Sequence, residues 1–127
     1  MVDSSAMAID DTHGTGAPVD LAAGTGSGPL WGTASEDLNA TLLAWPAGHE
    51  IAEHVNAELD VLVVVLEGGL TVAIDGEPHA VGAPGAILIP RGARRAIRAG
   101  GDGVRYLSVH RRRGRLQISS TFPPSGE

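Results

Sequence analysis

Three stretches of this 127-residue sequence bring together side chains able to do chemistry. His54 and Asn56 stand two apart, the spacing that puts neighbours on one face of an extended strand. A histidine titrates near neutral pH and serves as acid, base or ligand. An Asn amide both donates and accepts, either to a small polar ligand or to a turn of its own backbone. Arg94, Arg95 and Arg98 share a second stretch, where alternation sends Arg95 and Ile97 one way and Arg94, Ala96 and Arg98 the other. An arginine turned inward must be paired. Its partner is either an internal carboxylate, such as Asp60 or Glu58, or an anionic ligand gripped by the planar fork. In the third stretch Tyr106, Ser108 and His110 alternate with Leu107 and Val109. Either set could line an interior, and periodicity does not choose between them.

Composition removes many other chemistries. Cysteine is absent, so thiol nucleophiles, disulfides and zinc-thiolate sites are excluded. Lysine is absent too, which excludes Schiff-base chemistry and a Walker phosphate loop. A net charge of −6 and 3% aromatics argue against nucleic-acid binding. The longest apolar run, Val61–Leu66, falls far short of a bilayer span, and Met1–Asp11 reads as no secretory signal. The expectation is a cytoplasmic protein with no membrane and no nucleic-acid partner. All nine arginines follow residue 90, where Asp102 and Glu127 are the only acids. Such a block arises when distant segments pair and neutralise each other. The run Arg111-Arg112-Arg113 with Arg115 reads as a solvated strand end or an inter-chain salt link.

The elements that must carry these residues are β-strands. Leu30–Ala34, Leu38–Trp45, Glu53–Asn56, Val61–Leu66, Leu70–Ile74, His79–Val81, Ala86–Pro90, Arg94–Ala99 and Val104–His110 have strand-like patterns separated by turn signals. Val61–Leu66 is apolar on both parities, as for a strand buried on both faces. Gly68-Gly69 is expected to break one strand, Asp75-Gly76 to form a hairpin, and Gly100–Gly103 to form another turn. Nine short strands and no helical period predict an all-β sandwich or barrel. Residues 1–28, rich in Gly, Ala, Ser and Thr, read as a flexible arm, with Val19–Leu21 able to add to a sheet edge.

The stretch PAGHEIAEHVNAELDVLVVVLEGGLTVAIDGE, followed by VGAPGAILIPRGARR, resembles the cupin superfamily. Gly48, His54 after five intervening residues, and Gly68 match the first family motif. Gly85, Pro90 and Gly92 match the second, with four residues rather than five between Gly85 and Pro90. The resemblance spans about Trp31–His110 and implies a double-stranded β-helix, the jelly-roll barrel. It also implies which residues would hold a metal: two His and a Glu from the first motif and a His from the second. Here only His54 remains. Asn56 stands at the second His, Val61 at the Glu (with Asp60 the nearest acid), and Arg95 at the last His. A divalent ion normally takes at least three protein ligands.

The expected organisation is therefore an arm over 1–28, a cupin barrel over 29–118 and an irregular tail over 119–127. The expected function is binding of a small, anionic organic molecule in the barrel through His54, Asn56, Arg95 and Tyr106, without a cofactor. One alternative is a metal-dependent enzyme of the dioxygenase, decarboxylase or isomerase kind, with a divalent transition metal rescued by His49, His79 or His110. Another is metal-free acid–base catalysis resembling the sugar-epimerase branch, with His54 as base and Tyr106 as acid. A homodimer is expected, because Leu62, Val64 and Leu66 would face away from the lumen and need cover.

Overall fold

The computed structural model describes residues 17–112. Expectations for the tail, for Arg113 and Arg115, and for the arm before residue 17 lie outside them. The described residues form seven antiparallel strands: β1 (Gly28–Ala34), β2 (Leu38–Trp45), β3 (Glu50–Val55), β4 (Val61–Ile74), β5 (Glu77–Gly82), β6 (Gly85–Ile89) and β7 (Arg94–Arg111). The count is seven rather than nine because β4 and β7 each run through a glycine corner that the sequence reads as a break. Each long strand serves two layers. The first half of β4 pairs with β6 and with the second half of β7, which continues to β2 and β1. The second half of β4 pairs with β5 and with the first half of β7, which continues to β3. This is the jelly-roll plan, two layers closed by shared strands.

Glycine makes the corners possible. A Cβ on Gly68, whose φ is +71°, would lie 2.1 Å from the Gly103 carbonyl oxygen. One on Gly100 would lie 3.2 Å from the Gly69 oxygen. The two strands thus cross backbone against backbone. Each crossing also shifts the alternation by one residue, as a bulge does. Before the corner β4 buries Val61, Val63 and Val65; after it, Leu70 and Val72. In β7 the buried set changes from Ala99 to Val104 and Tyr106. These residues and Ile89 form one core cluster drawn from both layers. Side chains closed off this fully contribute about 1.5–3 kcal/mol each. The expected hairpin is present: Asp75 and Gly76 both have positive φ, and Ile74 pairs with Glu77.

Two further findings amend the sequence reading. Val61–Leu66 is not buried on both faces: Leu62 is 39% exposed, and its register partner Leu88 is 55% exposed. With Val109 and Ala40 they make an aliphatic row across β6, β4, β7 and β2. In addition, residues 21–24, read as part of a flexible arm, are tied to the outside of the same layer. The Arg105 guanidinium donates to the carbonyl oxygens of Leu21 (3.1 Å), Ala23 (3.0 Å) and Gly24 (2.8 Å). Its side chain is 11% exposed and lies 3.7 Å from Glu67.

Gly68→Ala should destabilise the fold by more than the roughly 1–3 kcal/mol of a strained φ alone, because it adds a backbone collision. Gly76→Ala, where nothing lies within 4 Å of the added methyl, should cost about 1 kcal/mol. Urea midpoints compare the two, and equal losses would contradict the corner. Cover of the aliphatic row by a second copy predicts about twice 13.0 kDa by light scattering at micromolar concentration. Leu62→Asp combined with Leu88→Asp should return the single-chain mass. A wild-type protein already at that mass would rule the dimer out.

Candidate functional site

Residues paired directly across antiparallel strands point to the same side of a sheet, so the register settles what periodicity left open. Val61, Val63 and Val65 are buried, and they pair with His110, Ser108 and Tyr106. The polar set of β7 is therefore the inward one, and Leu107 and Val109 face out. In the other layer the buried Val72 pairs with Ile97, and one step further along the same face Ile74 pairs with Arg95. Arg95 thus faces inward, opposite His54 on its other side. One row runs His54, Arg95, Ile74 and Glu77 across four strands.

The contacts in this row define hydrogen-bond directions. His54 Nδ1 lies 3.2 Å from the Ala52 carbonyl oxygen, which can only accept. The ring therefore donates from Nδ1 and leaves a lone pair on Nε2. Arg95 Nε–H, which can only donate, meets that lone pair at 3.2 Å. His54 thus bridges the Ala52 carbonyl and the Arg95 guanidinium through its two ring nitrogens. The other side of Arg95 is less well served: Nη1 is buried and has no hydrogen-bond partner among the described residues. Burial pushes the Arg95 pKa down from its ordinary value, with the nearby Tyr106 acting the other way.

Tyr106 is 3% exposed. Its hydroxyl oxygen accepts from Trp45 Nε1 at 3.3 Å, which leaves the phenolic O–H to donate elsewhere. Trp45 in turn stacks on His49, with ring centroids 4.1 Å apart. Burial raises the Tyr106 pKa, opposed by the Trp45 hydrogen bond and by Arg95.

Asn56 does not join this group. Its Oδ1 accepts from the backbone N–H of Glu58 (3.0 Å) and Leu59 (3.1 Å), so the amide shapes the turn between β3 and β4. Asp60, one of the internal carboxylates considered for Arg95, accepts instead from the Arg91 backbone N–H at 2.8 Å. Arg94 and Arg98 lie on the outer face with Glu53 and Glu50, 3.5 and 3.3 Å away. The structure also brings in Trp45, which the sequence reading did not single out. A tryptophan at an inward strand position near a lone tyrosine was the available signal.

The donor set does not fit the metal that the resemblance implies. His54 Nε2 is engaged by Arg95, Asn56 by the turn, and Arg95 is itself a cation. The replacement ligands do not assemble either. His49 stacks on Trp45. His110 donates from Nδ1 to the Arg111 carbonyl at 2.9 Å and presents Nε2 to the Asn39 amide at 3.3 Å. Among the described residues, no three His, Asp or Glu side chains are grouped to hold an ion.

Comparison with known proteins agrees with the fold. A family model described as "Cupin domain" matches residues 41–110. No curated protein matches. The fold is similar to KdgF from a Halomonas species at a TM-score of 0.61 and 18% identity, over 68% of this chain and 79% of that one. A conserved protein of unknown function from Streptococcus pyogenes aligns at TM-score 0.65 and 22% identity, over 87% and 99%. A Bacillus halodurans protein aligns at 0.59 and 26%, over 68% and 70%.

Tyr106 is the only tyrosine in the chain, so its ionisation can be read without overlap from phenolate absorbance near 295 nm. The midpoint should lie above the ordinary phenol value of about 10. The sign for stability follows: a raised folded-state pKa favours the protonated phenol. Its contribution is intact below about pH 10 and is lost as pH rises through the folded-state value. A midpoint at or below the ordinary value would show a solvated phenol.

Proposed function

Since the chain belongs to the cupin domain family, we propose that its barrel binds a small organic anion at Arg95. The observation that carries this reading is the buried Arg95 Nη1, a charged donor without an acceptor among the described residues. An unsatisfied donor in such surroundings is costly, and a ligand carboxylate is the acceptor that matches a guanidinium edge. His54 acts here as a positioning residue, holding the guanidinium through Nε. Binding is favoured over acid–base catalysis between His54 and Tyr106, because the lone pair that a base requires is engaged by Arg95. A carrier or sensor is the activity that fits this arrangement.

Small carboxylates should raise the melting temperature of the wild type. At a hundred times Kd the gain is about 2.7 kcal/mol, which is several degrees for a domain of this size. Arg95→Ala should abolish the shift with the fold retained. Arg95→Lys should reduce it, because lysine lacks the planar fork. Loss of the fold in both variants would make Arg95 a structural residue and overturn the reading.

A further inference from the structure

The neighbours of Arg95 also limit what kind of anion it takes. We infer that the site selects a monocarboxylate with a short apolar body, held by Arg95 Nη1 and the Tyr106 O–H together, an inference that rests on the binding reading above.

Charge sets the first limit. Arg95 is the one arginine that the register turns into the lumen from its layer, since Arg94 and Arg98 face out and pair with Glu53 and Glu50. The same inward row ends in Glu77, with Ile74 between. Glu77 is exposed and two strands away, so the single inward cation is left to balance one negative charge, and a second would be unmatched. A phosphate monoester, dianionic near neutral pH, is poorly matched, and so is a dicarboxylate.

Hydrogen-bond polarity sets the second limit. Nη1 can only donate, and the Tyr106 oxygen is already receiving the Trp45 N–H, so its proton is the part left to offer. Two donors call for two acceptors on one planar group, which a carboxylate supplies. The neutral amide of the same shape replaces one acceptor by an NH2, which would face a donor. Tyr106 and Arg95 lie on the two halves of β7, and the register turns both toward the same interior.

The walls set the third limit. Arg95 is flanked by Ile74 across the sheet and by Ile97 on its own strand, and both pack against the core cluster. Deeper in, Val63, Val65 and Val72 are 1%, 0% and 0% exposed, so the interior is filled there. The body of the ligand is therefore apolar and short. It is not a polyhydroxylated sugar acid, whose hydroxyls would meet aliphatic walls.

The test uses the full chain and four probes of similar size: isobutyrate, isobutyramide, succinate and inorganic phosphate. Melting temperature and calorimetric Kd are the readouts, with phenolate absorbance of Tyr106 as a local one. Isobutyrate should bind, raise the melting temperature and move the Tyr106 titration further up, because an anion beside the phenol disfavours phenolate. Isobutyramide and phosphate should do none of these, and succinate should bind more weakly than isobutyrate. Tyr106→Phe should weaken isobutyrate roughly tenfold, and Arg95→Lys should weaken it as well. Phosphate or succinate binding better than isobutyrate, and depending on Arg95, would overturn the ligand class while leaving anion binding at Arg95 in place. Isobutyrate binding that leaves the Tyr106 titration and the Tyr106→Phe affinity unchanged would overturn the two-donor site. Absence of binding by every anion would overturn both this inference and the reading beneath it.

Discussion

Everything in this barrel follows from the need for two strands to turn the same corner in contact. A side chain on Gly68 of β4 would collide with Gly103 of β7, and one on Gly100 of β7 would press on the Gly69 carbonyl of β4. The corner does more than bend the sheet. By shifting the alternation one residue in each strand, it lets a strand present buried side chains to the same interior before and after the bend. Arg95 and Tyr106 are eleven positions apart on β7 and on opposite parities, which in a straight strand would place them on opposite faces. The shift turns both inward, one from each layer. The site is thus a product of the corner as much as of the residues in it.

Within the site, hydrogen-bond direction propagates from fixed groups to adjustable ones. The Ala52 carbonyl fixes the His54 tautomer, and the tautomer fixes where Arg95 can anchor. On the other side Trp45, which can only donate, fixes the role of the Tyr106 oxygen. What remains to be satisfied is donors, not acceptors. This is the reverse of a metal centre, which gathers lone pairs around a cation. Arg95, at the position where the family resemblance implies a histidine ligand, keeps positive charge in the barrel, and under the proposed reading a planar, directional grip takes the place of coordination.

Much of this was legible in the sequence. Strands occur in each stretch that alternation and turn residues marked as β, and the Asp75-Gly76 hairpin follows from local chemistry alone. The glycine corners were misread as breaks, because a pair of glycines looks the same whether a chain ends a strand or bends within one. Only the pairing partner distinguishes the two. Arg95 was recognisable from its position and its charge. The inward face of Tyr106, Ser108 and His110 was not, since both faces of that strand carry side chains suited to an interior, and the choice depends on which partner strand is already buried. Asn56 shows the opposite failure. Its type suits ligand binding and turn formation equally, and the geometry of the β3–β4 turn takes up its side-chain oxygen before any ligand could.

Arg105 joins parts of the chain that are 84 residues apart, from β7 back to Leu21. In a sequence without cysteine it acts as a non-covalent staple between the entry segment and the barrel wall. Unlike a disulfide, it is indifferent to the redox poise of its surroundings and leaves the unfolded chain unrestrained. Its grip on three carbonyl oxygens is also the kind of contact that guanidinium ions in solution imitate. Guanidinium chloride therefore acts on the staple by direct competition for those oxygens as well as by solvating the backbone, whereas urea, lacking the charge, acts by solvation alone.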